Sequence, residues 1–135
     1  MVSRIYDLTV QTLRREQFIN ITGEVKRIVS LSGVKEGTVQ VFTMHTTAGL
    51  TINENADPSV VEDILMELGK IVPLNDNYRH IEGNSAAHIK SSLFGASLTV
   101  FLTGGRPLLG TWQGLFFCEF DGPRQRKVLV KVVED

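Results

Sequence analysis

Apolar and polar positions alternate over residues 4–13, where Ile5, Asp7, Thr9 and Gln11 interleave with Tyr6, Leu8, Val10 and Leu13. A period of two predicts a strand. Phe18 to Ile21 predicts a second, short strand after the charged turn Arg14–Gln17. Val25, Ile28 and Val29 then follow the i, i+3, i+4 spacing of a short amphipathic helix that begins near Thr22 and stops at Gly33. Thr38 to Met44 is rich in β-formers, and Leu50-Thr51-Ile52 reads as its antiparallel return strand. Asp57-Pro58 is a helix start, because Asp favours the N-cap and Pro the first helical position. Val60, Val61, Ile64, Leu65, Leu68 and Ile71 trace one apolar face from there to Pro73. Residues 74–86 read as a long polar loop, and a loop of that length in a compact domain is usually functional or mobile. A short helix over Ala86–Leu93 is closed by Gly95. Three strands complete the chain: Ala96–Thr103 with a Gly104-Gly105 hairpin signal, Thr111–Phe120, and Lys127–Val133. About seven strands and three helices without strict alternation predict an α+β fold with largely antiparallel sheet, in a single domain over residues 1–135.

Composition narrows the class. With 135 residues, 42% of them hydrophobic and 21% charged, the chain is an ordinary globular domain and too apolar for disorder. About two-thirds of its surface should be buried on folding, enough for one core. Fourteen Lys+Arg against fifteen Asp+Glu give a net charge of −1. That balance removes the electrostatic basis for general binding to nucleic acid or anionic membranes. Arg124, Arg126, Lys127 and Lys131 are the whole of the case for nucleic acid, and Lys127 and Lys131 flank an apolar strand as solvent-facing residues do. No apolar run is long enough to span a bilayer, and early charges leave no room for a secretory signal. The single cysteine, Cys118, cannot form an internal disulfide, which points to a cytoplasmic protein.

Candidate chemistry begins with the histidines. His45 ends a predicted strand, His80 lies in the polar loop and His88 opens a helix, so three elements can bring three imidazoles to one point. Imidazole suits zinc, and three protein ligands leave a position open for water or substrate. The separations of 35 and 8 residues match no compact metal motif, and scattered histidines also serve as ordinary hydrogen-bonding residues. Bound histidines need a partner on the second ring nitrogen, and Glu54, Asp57, Glu82 and Glu119 are available carboxylates.

Phosphate handles come second. Gly83-Asn84-Ser85 precedes the helix of His88, and helix N-termini offer free N–H groups to anions, although Ser85 is also a natural N-cap. Gly104-Gly105-Arg106 and Gly122-Pro123-Arg124 place arginines on turns, where they fork onto phosphate or simply face solvent. No dinucleotide or Walker fingerprint is present. In Asn53-Glu54-Asn55-Ala56-Asp57, Asp57 has a capping role, whereas Glu54 and Asn53 have no such structural task and Glu54 is a candidate general base. Cys118 alternates with Phe116 and Phe120, so it faces the core and is inert. Trp112 is available for stacking or packing.

His45-Thr46-Thr47-Ala48, Asn53 to Pro58, Gly83-Asn84 with His88-Ile89-Lys90, Gly110-Thr111-Trp112-Gln113, and Glu119 to Arg124 together resemble the signature segments of the YjbQ family. These small bacterial and archaeal proteins are also described as secondary thiamine-phosphate synthases. The resemblance implies a compact α+β sandwich assembled as a homotrimer, with a metal-binding cluster of His45, His80 and His88. It implies joining of hydroxymethylpyrimidine diphosphate to thiazole phosphate with release of pyrophosphate. Glu54, Asp57, Asn84 and Gln113 match polar signature positions. Many relatives carry Asp two residues before the last histidine; Ala86 stands here, which leaves Glu82 as the substitute carboxylate.

The sequence expectation is therefore a metal-dependent enzyme acting on a phosphorylated small molecule. Its metal is zinc or magnesium on His45, His80 and His88; Glu54, Asp57 and Glu82 are catalytic. Asn53, Asn84, Ser85, Arg106, Gln113 and Arg124 bind substrate or phosphate. The alternative is a trimeric module that binds a metal or phosphometabolite without turnover.

Overall fold

The computed structural model describes residues 4–135. Among them are eight strands and three helices: β1 Ile5–Gln11, β2 Gln17–Asn20, α1 Thr22–Ser32, β3 Gly37–Thr43, β4 Ala48–Glu54, α2 Pro58–Ile71, α3 Ser85–Leu93, β5 Ser97–Thr103, β6 Arg106–Pro107, β7 Gln113–Glu119 and β8 Gln125–Glu134. One sheet has the order β1-β8-β3-β5-β6 and the other β2-β7-β4, with every pairing antiparallel. The fold is α+β, as the periodicity predicts. Among the described residues, no helix is long and apolar enough to cross a membrane.

The main core lies between the sheets. Val39, Val128 and Val130 of the larger sheet meet Leu50, Leu115 and Phe117 of the smaller one, and α1 closes the core with Val25, Ile28 and Val29. A second cluster covers the other face of the small sheet. There Phe116, Cys118 and Phe120 pack with Ala87 of α3, while Phe18, Phe94, Val61 and Leu68 close the rim. Cys118 is fully buried in it, and burial pushes its thiol well above the ordinary range.

Three local readings are corrected. β4 is not the return strand of β3: it pairs with β7 in the other sheet, from Ala48↔Glu119 to Glu54↔Gln113. Period two reports a half-buried strand but carries no partner identity, and β3 is already flanked by β8 and β5. The Gly104-Gly105 turn does form a hairpin, with φ of 58° and 78°, but it returns into the two-residue β6, too short to register as a periodic pattern. Finally, Asn84 rather than Ser85 is the N-cap of α3, and Ser85 is its first helical residue.

Asp57 caps α2 as expected: its Oδ1 accepts from the Ser59 N–H at 2.9 Å, and Pro58 follows at the helix start. Those Ser59 hydrogen bonds hold the Asp57 carboxyl below its usual 3.8. α2 is amphipathic, yet none of its residues is fully buried in the single chain. Ile71 is 64% exposed.

Candidate functional site

At the end of the small sheet where Ala48 pairs with Glu119, the chain opens a polar cleft of about 780 Å³. The β3–β4 connection brings His45, Thr46 and Thr47 to it; the loop before α3 brings His80, Glu82 and Asn84; α3 brings His88. The segment entering β8 adds Asp121, Arg124 and Arg126, and Arg15 comes from the β1–β2 connection. All three histidines, separated along the chain, thus open on one space.

His80 and His88 are neighbours, with ring centres 5.5 Å apart and planes at 88°. Two imidazoles sharing one tetrahedral zinc have ring centres roughly 5 Å apart, given Zn–N bonds of about 2 Å. Glu82 Oε1 lies 3.7 Å from His80 Nε2, so this carboxylate sits where a partner for a ligating imidazole is needed. Asn84 donates from Nδ2 to Asp121 Oδ2 at 2.9 Å, while its Oδ1 is buried without a partner among the described residues. Such an orphaned acceptor calls for a donor or a cation.

His45 is differently engaged. Its Nε2 accepts from the backbone N–H of Lys127 at 3.0 Å. Burial lowers its pKa from 6.5, and the Arg126 guanidinium lowers it further; Glu119 opposes this and Arg124 adds a smaller push downward. Among the described residues, no three His, Cys, Asp or Glu side chains are gathered closely enough to hold a metal ion by themselves.

Beneath the cleft lies a buried ion pair that the sequence reading did not identify. Glu119 is 0% and Arg126 3% exposed. Arg126 donates from Nε to Glu119 Oε1 at 2.8 Å and from Nη2 to Oε2; Nη2 also donates to Thr47 Oγ1 at 2.8 Å. Glu119 Oε1 further accepts from the Thr12 hydroxyl at 2.9 Å, and Oε2 from the Asp121 N–H at 3.0 Å. Desolvation works to raise the Glu119 pKa, but these donors overcome it and hold the carboxyl below its usual 4.5. Asp121 in turn anchors Arg124, whose Nη2 lies 3.1 Å from Asp121 Oδ2, and approaches Arg15 at 4.0 Å. The signal for Arg126 is its phase: it shares a strand face with Val128, Val130 and Val132.

The remaining candidates lie elsewhere. Glu54 and Asp57 line a separate groove with Arg14 and Glu62, at the far end of β4. Asn53 accepts from the Glu54 N–H at 2.7 Å and lines a groove beside α2. Gln113 Oε1 accepts from the Gly110 N–H at 2.7 Å, closing the turn into β7, where Trp112 is 62% exposed. Arg106 lies in β6 opposite Thr103, and neither it nor Ser85 lines the cleft. The six steps along β4 from Ala48 to Glu54 put roughly 20 Å between the two ends.

A sequence model for YjbQ-like UPF0047 proteins matches residues 6–135. A UPF0047 protein of Methanocaldococcus jannaschii is 50% identical over 135 residues, covering 100% of this chain and 98% of that protein. YugU of Bacillus subtilis is 47% identical over 127 residues, 93% of this chain and 96% of its own. The crystal structure of an uncharacterised YjbQ/UPF0047 protein from Clostridium acetobutylicum superposes with a TM-score of 0.93 at 53% identity, covering 95% of this chain and 99% of that one. A YbjQ-like protein of unknown function from Sulfolobus solfataricus gives a TM-score of 0.92 at 32% identity, over 99% and 100% of the two chains. Likeness in sequence and fold over nearly the whole length makes this chain a member of the YjbQ (UPF0047) family.

Proposed function

We propose that the cleft binds a phosphorylated small molecule together with a divalent cation, and that the protein is a metal-dependent enzyme on such a substrate. The observation that carries this reading is the opening of three imidazoles and three guanidiniums on one polar space. His80 and His88 would hold the ion, with the orphaned Asn84 Oδ1 an available oxygen donor; His45 would join only by giving up the Lys127 N–H. Imidazole donors favour zinc, and an amide oxygen is also acceptable to magnesium. A bound ion supplies Lewis-acid charge or an activated water. The protein's own groups bind and orient: Arg124, fixed by Asp121, faces the substrate's phosphate, and Glu82 beside His80 takes or returns a proton. Coupling of hydroxymethylpyrimidine diphosphate to thiazole phosphate is the named case.

The working unit of this proposal is a cytoplasmic homotrimer. In a three-fold ring each interface is heterologous, joining one surface patch of a subunit to a different patch of its neighbour. The end bearing Glu54, Asp57 and Glu62 is acidic on balance, with Arg14 the opposing charge, and complements the arginine-lined cleft, while α2 supplies an apolar face with no fully buried residue. Asn53, Glu54, Asp57 and Gln113 would then complete the site of the next subunit.

The test is turnover of the two thiamine precursors, with and without added zinc or magnesium, by the native chain and by His88→Ala. Product that requires both metal and His88 is expected. Equal rates in all four arms would contradict the enzyme; metal and phosphate binding without product would leave the binding module.

A further inference from the structure

The floor of the cleft offers hydrogen-bond donors that no protein group uses. Arg126 is 3% exposed and still lines the cleft. Its Nε and Nη2 are committed to Glu119 and Thr47, and no partner for Nη1 occurs among the described residues. Since Arg126 lines the cleft and its other nitrogens are engaged, Nη1 is the donor it has left to offer there. His45 adds a second donor by tautomer logic. A neutral imidazole has one lone pair and one N–H, and here Nε2 spends the lone pair on the Lys127 N–H. The proton therefore sits on Nδ1, a donor and not a metal ligand. The remaining charged groups around this floor are Arg15 and Arg124, both held by Asp121, and Glu82 beside His80.

From this arrangement we propose that His45 Nδ1–H and the free Arg126 amino group, with Arg124 at the rim, form an anion seat for a phosphoryl group that fills without any metal. The proposal rests on the reading of the cleft as a phosphate-handling site, and it divides that site. His80 and His88 are the cation side, and His45 belongs to the anion side. Glu119 and Thr47 are positioning residues, since they aim Arg126 and do not touch the anion. The seat selects oxyanions with several acceptor oxygens, because the groups that form it are all donors, while the unmatched acceptor of the cleft, Asn84 Oδ1, belongs to the cation side with His80 and His88.

The experiment uses chelator-treated full-length protein and inorganic phosphate as the probe, followed by calorimetry and by long-range histidine 1H–15N spectra. Phosphate is expected to bind the metal-free protein, to shift His45 nitrogens more than those of His80 and His88, and to leave His45 as the Nδ1–H tautomer throughout. Arg124→Gln and His45→Phe should each weaken phosphate at least tenfold, whereas His80→Ala should change it less than twofold. The spectra need no variant, so a variant that misfolds does not spare the proposal. Absence of phosphate binding without metal, an Nε2–H tautomer at His45, or equal weakening by His80→Ala would overturn it. Failure of turnover with intact phosphate binding would instead count against the enzyme reading alone.

Discussion

Glu119 and Arg126 lose most of their hydration on folding, and the cost is offset because every lone-pair direction of the carboxylate meets a donor. Removing one member leaves the other charge buried and unpaired. Glu119→Gln should therefore cost about 3–5 kcal/mol in urea unfolding, and a loss below about 1 kcal/mol would contradict the pairing. Acid acts on the same place. His45 and Glu119 both have folded pKa values below their ordinary ones, so the unfolded chain takes up their protons first. The stability each contributes is present above its unfolded pKa and lost as pH falls through its folded one. The melting temperature should begin to fall below pH 6.5 on account of His45 and fall again below pH 4.5 on account of Glu119. His45→Gln should remove the first step only; identical curves for both proteins between about pH 5 and 7 would refute the assignment. At this scale the sequence betrayed the residue types of the site but not their commitments. The histidines stood out by chemistry, whereas nothing in His45-Thr46-Thr47 announces that a backbone N–H from Lys127 occupies one ring nitrogen.

Elements were legible where one local rule governs them. The Asp57-Pro58 start of α2 and the positive-φ glycines of the β5–β6 turn are set by their own few residues. Partnership between strands is a long-range choice: adjacency in sequence suggests β3 with β4, whereas β3 pairs with β5 and β4 with β7. α3, which carries His88, is positioned by close approach to β4. A Cβ on Gly49 would lie 2.8 Å from Phe94 Cβ and 3.3 Å from the Gly95 carbonyl, while a Cβ on Gly23 in α1 meets nothing within 4 Å. Gly49→Ala should thus cost about 1–3 kcal/mol and displace α3. Gly23→Ala should gain up to about 1 kcal/mol. Equal effects of the two substitutions on chemical unfolding would show that α3 is not seated as described.

For the whole molecule, the two polar ends of the small sheet are the organising fact. Arg126 is buried, which removes it from the basic surface stripe that was the case for nucleic acid. The cleft end and the acidic end lie on one chain and share no lining residue, so they would act together only across a subunit boundary, as in the proposed homotrimer. Light scattering should give three times the chain mass of 15.0 kDa, and a single-chain mass at micromolar concentration would remove the partner's contribution. That splitting was invisible in the sequence, because Asn53 to Asp57 lie nearer in number to His45 than His80 does. The claim on which the account turns is that His80 and His88 hold a divalent ion. Elemental analysis of protein purified without a histidine tag, beside a folded His88→Ala variant, tests it most directly. The account predicts close to one zinc or other divalent ion per native chain and little in the variant; equal, trace content in both would contradict it.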